Sequence, residues 1–134
     1  MGNSGLSPII LMILLALVSN SAAADWVKVS ENETTTTYAD PATISKAGNM
    51  VKMWRLIDFR KAVSIASDKP FMSSKGQDEY DCKEEQTRIL ALSFHSENMG
   101  GGEMVHSEAN PSKWEPVHAR SIGETLWKFG CGKQ

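Results

Sequence analysis

The 134 residues include two cysteines and three histidines, and the chain is short of other chemical signposts as well. Charge of one sign is missing. Fourteen basic residues face sixteen acidic ones, for a formal net charge of −2, and no basic stripe is visible. That balance excludes nucleic acid as an expected partner. There is no G-x-S-x-G, no H-E-x-x-H and no glycine loop of the phosphate-cradling type. Gly100-Gly101-Gly102 lies between two expected strands, not before a helix, so it cannot present a helix N-terminus to an anion. These gaps argue against an enzyme, and no cofactor is implied. No apolar run approaches the ~20 residues that a membrane-spanning helix needs. There is no internal repeat, and no low-complexity tract beyond Thr34 to Thr37.

The longest apolar run is Ile9 to Val18, IILMILLALV. It suits the h-region of a secretory signal peptide, although the preceding MGNSGLSP carries no Lys or Arg. Ala22-Ala23-Ala24 supplies small residues for cleavage. The expectation is a signal peptide over 1–24 and one domain over 25–134, exported to the periplasm, the medium or the cell surface; an uncleaved membrane anchor is the alternative. No Cys stands near Ala24, so no lipoprotein anchor is expected.

Cys82 and Cys131 permit one intramolecular pairing. An exported chain enters an oxidising compartment, where paired thiols close. The acidic neighbours Asp78, Glu79, Asp81, Glu84 and Glu85 would raise a thiol's pKa, the reverse of what a nucleophile needs. A structural disulfide is the reading adopted, with a metal-binding pair as the alternative. The loop it closes is long, and the chain-entropy estimate puts its contribution at about 4 kcal/mol.

The pattern along the chain predicts an α+β domain: a largely antiparallel sheet of five to six strands with a C-terminal helix packed on it. DWVKVS and TTTTYA read as the first two strands. Asp40-Pro41 breaks the second, and Ala42 to Gly48 reads as a helical or 3₁₀ turn. Met50 to Arg60 is the strongest strand, with Val51, Met53, Ile57 and Phe59 on one side and Met50, Trp54 and Leu56 on the other. Apolar mass on both faces argues for a central strand covered on each side. Lys61 to Pro70 reads as a connection, and Phe71 to Gln77 as a further extended segment. From Thr87 to Ser96 the alternation puts Leu90, Leu92 and Phe94 inward. NMGGG, Asn98 to Gly102, reads as a flexible hairpin connection to a strand over Glu103 to Ser107. Ser121-Ile122-Gly123-Glu124 is a capping box. Ile122, Leu126 and Phe129 then recur at helical spacing, and a break at Gly130 would turn Cys131 toward the sheet.

Candidate binding residues are few. His95 and His106, with His118, Met99 and Met104, could ligate a metal or haem if their strands pair through NMGGG, but their spacing matches no known ligand pattern and no carboxylate or Cys completes the set. The plain reading is strand and loop histidines with no metal. The acidic run lacks a calcium-loop order and reads as a solvated strand entrance. Trp54 and Trp127 sit in apolar runs and read as core. Trp114, in PSKWEP, is the better candidate for an exposed binding anchor. Asn32-Glu33-Thr34 fits a glycosylation acceptor but reads as a turn.

Several segments together carry a resemblance. They are WVKVSENETTTTYADPATI from Trp26, AGNMVKMWRLIDF from Ala47, SSKGQDEYDCKEEQTRILALSFHSENMGGG from Ser73, KWEPV from Lys113 and SIGETLWKFGCGK from Ser121. In order and spacing the chain resembles the bacterial surface-adhesin E family, although it lacks the lipobox cysteine of surface-anchored lipoprotein members. The resemblance implies a small secreted or surface-exposed domain that binds a host or cell-surface protein. Recognition would use an exposed sheet edge or the loops Lys61 to Pro70 and Glu97 to Gly102. The alternatives are a periplasmic small-molecule, haem or metal-binding protein, and an envelope component with no ligand. A homodimer through edge strands is a further expectation, since such edges leave backbone groups unpaired.

Overall fold

β-Branched and aromatic residues crowd the stretch from Trp26 to Tyr80, and it folds into four successive antiparallel strands. The computed structural model describes residues 24–65 and 69–133; apart from Ala24, the expected signal segment lies outside them. The strands are β1 (Val27–Glu31), β2 (Thr35–Ala47), β3 (Met50–Val63), β4 (Phe71–Asp81), β5 (Gln86–His95), β6 (Met104–Glu108) and the two-residue β7 (Glu115–Pro116). The sheet runs β1-β2-β3-β4-β5-β6, a meander in which every neighbour in sequence is a neighbour in space. β7 joins β5 beyond the end of β6. Among the described residues one α-helix, α1 (Ile122–Cys131), follows the last strand.

Where the strand reading falls short, local hydrogen bonding explains why. Asp40-Pro41 does not end β2. The strand bulges between Asp40 and Ser45 and continues to Ala47. The Asp40 side chain accepts from the Ala42 N–H at 3.1 Å and the Thr43 hydroxyl caps the Trp54 N–H at 2.9 Å, so the bulge satisfies backbone groups that the break leaves open. β3 likewise runs on to Val63, into the segment read as a connection. A second bulge between Gln77 and Asp78 shifts the alternation of β5. Ile89 therefore lies on the same face as Leu92 and Phe94, and Leu90 falls at the irregularity.

The main core lies between α1 and one half of the sheet. Ala39, Val51, Met53, Tyr80, Leu126 and Trp127 are all buried there. Trp127 donates its indole N–H to the Asp81 carbonyl at 3.0 Å. Ser121 caps the helix by accepting from the Glu124 N–H at 3.1 Å, and the Glu124 carboxylate takes the Arg120 N–H at 3.1 Å. The helix does not break at Gly130. It runs through Cys131 and ends at Gly132, whose φ of 69° is the left-handed C-terminal turn. Gly130 instead faces the core, where a Cβ would make van der Waals contact with the Tyr80 ring at 3.4 Å. Cys131 reaches Cys82 directly, and the two form a disulfide with a Cα–Cα separation of 5.7 Å. Trp54 is half-buried on the opposite face, where Leu56 is fully buried.

Candidate binding surfaces

The meander gives the sheet two different ends. One carries the β2–β3 and β4–β5 turns, the disulfide and the C-terminus of α1. The other gathers the Asn32 turn, the β3–β4 connection and the β5–β6 connection. Of the loops proposed for recognition from sequence, Glu97 to Gly102 and the described parts of Lys61 to Pro70 lie at this second end; residues 66–68 are outside the described residues. Lys69 and Glu103 bridge them at 3.0 Å. Ile65, Met99 and Met104 are exposed there by 48%, 44% and 57%, which makes three of the four large exposed hydrophobics in the described residues. A cleft of about 420 Å³ opens at the same end between Glu33-Thr34 and Phe59 to Val63.

NMGGG is not a loose connection. Asp58 accepts from the Asn98 side-chain amide at 2.9 Å and from the Met99 N–H at 3.0 Å. The Ser73 hydroxyl takes the Gly100 N–H at 2.8 Å and donates to the Glu97 carbonyl at 2.6 Å. Met99 is held at a φ of 58°, which side-chain-bearing residues seldom adopt. The loop is thus pinned across β3 and β4 and presents Met99 outward. The neighbouring turn is built around Asn32, whose side-chain oxygen accepts from the N–H groups of Thr34 and Thr35 at 2.9 Å each. Arg60 ties that turn down by donating to the Asn32 carbonyl and to the Glu31 carboxylate.

The histidines do not come together. β5 and β6 pair with His95 opposite Met104 and Phe94 opposite His106, so the two imidazoles lie on opposite faces. His95 is buried and its Nε2 lies 2.8 Å from the Ser93 hydroxyl. Burial, with the Lys75 charge second, holds its pKa below the usual imidazole value. His106 stacks near Phe94 and contacts Glu108 at 3.0 Å. Among the described residues no group of three or more His, Cys, Asp or Glu side chains is placed to hold a metal ion. Trp114 is half-buried on the flank of β5, with the Arg88 guanidinium 4.7 Å from its ring centroid. It stands apart from the loop end.

The acidic run is the largest departure from the sequence reading. Asp78, Glu79 and Asp81 are buried inside β4, not solvated at a strand entrance. Each carboxylate has its own partners. Asp78 takes the Arg55 Nε–H at 3.0 Å and the Tyr80 hydroxyl at 3.1 Å. Glu79 pairs with Arg88 at 2.7 Å. Asp81 accepts the N–H groups of Lys83 and Glu84 at 3.0 and 2.9 Å and shapes the turn that carries Cys82. Burial, then the Asp78 charge, drives the Tyr80 hydroxyl well above its ordinary pKa. Arg55 was missed as a buried group. The signal was its place in the row Val51, Met53, Arg55, Ile57, where a charge on an apolar face demands a counter-charge opposite.

The fold is similar to structures of Haemophilus influenzae protein E. The crystal form II structure superposes with a TM-score of 0.65 at 11% identity, covering 84% of this chain and 91% of that one. A second protein E structure gives 0.63 at 11% identity, with 84% and 87% covered. Protein E from non-typeable Haemophilus influenzae gives 0.61 at 11% identity, with 84% and 79% covered. No curated protein matches the chain. The family model "Surface-adhesin protein E" matches residues 26–132, which is nearly the whole sheet and helix, and the chain belongs to that family.

Proposed function

We propose that this protein is an exported, non-enzymatic binding module that engages a protein or other cell-surface component through the loop end of its sheet. Membership of the surface-adhesin protein E family supports a surface or exported, adhesin-like role. The observation that carries the reading is the exposure of Ile65, Met99 and Met104 at the end opposite the disulfide. Large apolar side chains exposed at one end of the sheet fit a contact surface. Signal-peptide cleavage near Ala24 would release residues 25–134 for display or secretion. The outer edges of β1 and β6 have no strand neighbour among the described residues, and they offer a route to pairing of two copies.

The test has two arms. Protease shaving of intact cells is expected to degrade the protein while a periplasmic control survives. The purified exported form is expected to bind host-cell or extracellular-matrix surfaces saturably. Full protection from the protease, together with no saturable binding, would overturn the reading.

A further inference from the structure

Two tryptophans flank one carboxylate on the side of the sheet away from α1. Ala39 and Met53 face the helix-side core, so their neighbours Asp40 and Trp54 face the other way. Val27 pairs with Ala39, which sets Trp26, one residue earlier, opposite Asp40; Asp40 in turn pairs with Trp54. The three side chains form one row across β1, β2 and β3, and both indoles are half-buried. Neighbouring strands lie about 4.8 Å apart, so the two tryptophans stand roughly 10 Å apart. A cavity of about 260 Å³ opens along this row, lined by Trp26, Asp40, Thr43, Trp54 and Lys75. That is room for the head of a ligand, not for a drug-sized body.

The charge in the cavity is negative. Asp40 is only 5% exposed. One of its carboxylate oxygens accepts the Ala42 N–H at 3.1 Å, and among the described residues no cation pairs with it. A carboxylate taken out of water without a counter-charge is costly, so a cation entering here is favoured. Lys75 does not supply it. Its Cδ, Cε and Nζ lie 3.2, 3.2 and 3.5 Å from where a Gly100 Cβ would stand, so the ammonium reaches toward the β5–β6 connection and the aliphatic stem is left to line the cavity. The kind of cation follows from the acceptors present. A primary ammonium brings three donors. The Thr43 hydroxyl is already engaged, donating to the Asp40 carbonyl at 2.7 Å and accepting the Trp54 N–H at 2.9 Å. A quaternary ammonium needs no acceptor and is attracted by aromatic faces within about 6 Å. A cation midway between tryptophans roughly 10 Å apart meets that limit on both sides.

We propose that this cavity binds a quaternary ammonium group, with its charge over Asp40 and its methyl groups against Trp26, Trp54 and the Lys75 stem. The group belongs either to a small choline-like solute or to a lipid headgroup. The proposal does not rest on the loop-end contact surface, so the two readings stand or fall independently. Ala24 also lines the cavity. Cleavage after it would leave the Asp25 α-ammonium nearby as a rival occupant, so the exported form is the one to test.

The test is ¹⁵N NMR titration of the exported form with its disulfide intact, following the indole N–H signals of Trp26 and Trp54. The probes are choline, its neutral carbon isostere 3,3-dimethylbutan-1-ol, and ethanolamine. Choline is expected to shift both signals and saturate. The neutral isostere and the primary amine should each bind at least about tenfold more weakly. Co-sedimentation with phosphatidylcholine vesicles, against phosphatidylglycerol vesicles as control, separates the sources: selective sedimentation assigns the lipid headgroup, and choline binding without it assigns the free solute. Asp40→Asn keeps an acceptor for the Ala42 N–H and removes the charge, and it should weaken choline binding by about tenfold or more. Trp26 precedes β1 and lies outside the buried core cluster, so Trp26→Ala, with a similar loss expected, keeps the proposal testable if the Asp40 variant fails to fold. The proposal is overturned if neither choline at about 10 mM, where even a roughly millimolar Kd would show, nor phosphatidylcholine vesicles bind. The isostere or ethanolamine binding as tightly as choline would overturn it as well.

Discussion

Removing Asp78 tests how deeply the Arg55–Asp78 pair is built into the fold. The two side chains are 9% and 7% exposed and meet at 3.0 Å. In Asp78→Ala the guanidinium stays buried with no acceptor among the described residues, and the Tyr80 hydroxyl loses its acceptor too. Breaking a buried pair from one side costs about 3–5 kcal/mol. The 110 residues from Asp25 to Gln134 should unfold with an entropy of about 0.23 kcal/mol/K, from ~2.1 cal/mol/K per residue. The expected fall in Tm is then roughly 13–21 °C for Asp78→Ala, and similar for Arg55→Met. The double variant Arg55→Met/Asp78→Ala removes both charges together, so it should cost less than the sum of the single changes. Urea unfolding of all four proteins completes the cycle. Single changes costing under about 1 kcal/mol, or a double variant whose loss is the sum of the singles, would refute the reasoning, because the pair would then behave as a surface contact.

Three further outcomes are expected. Cys82→Ser/Cys131→Ser should lose about 4 kcal/mol, since the bond closes a loop spanning 49 residues; urea midpoints at matched protein concentration check it. His95 has a folded pKa held below its unfolded value near 6.5, so below pH 6.5 the unfolded state takes up more protons. Its contribution is therefore complete above that pH and is lost as the pH falls toward the folded value. His95→Gln should flatten the decline in Tm between about pH 7 and 5.5, and an unchanged slope would exclude His95 as its source. Thr37 is 1% exposed and its hydroxyl has no partner among the described residues. Thr37→Val keeps the shape and removes the orphan, so it should raise stability by about 1 kcal/mol in the same urea assay.

Much of the architecture was legible because it rests on short-range rules. Alternation marked β3, the capping box marked the start of α1, and the exported context brought Cys82 and Cys131 together. The misreadings share a cause as well. Asp40-Pro41 looked like a break because a bulge that satisfies its own hydrogen bonds leaves no trace in hydropathy. Asp78 and Glu79 looked solvated because their partners, Arg55 and Arg88, stand on neighbouring strands, and strand register is not written in local sequence. The same register separates His95 from His106, which one connection would otherwise bring side by side. The loop end was legible as two separate loops. Its pinning by Asp58 and Ser73 was not, because those contacts join residues from three different strands and connections.

The central claim is that the two ends of this sheet divide the work: the stapled end holds the fold and the loop end binds. Surface binding by the exported form, compared between Met99→Glu/Met104→Glu at the loop end and Lys133→Glu at the stapled end, tests it most directly, with Tm measured alongside. The account expects the loop-end variant to lose binding at unchanged Tm and the stapled-end variant to keep it. Equal binding by both variants, or loss only at Lys133, would contradict it.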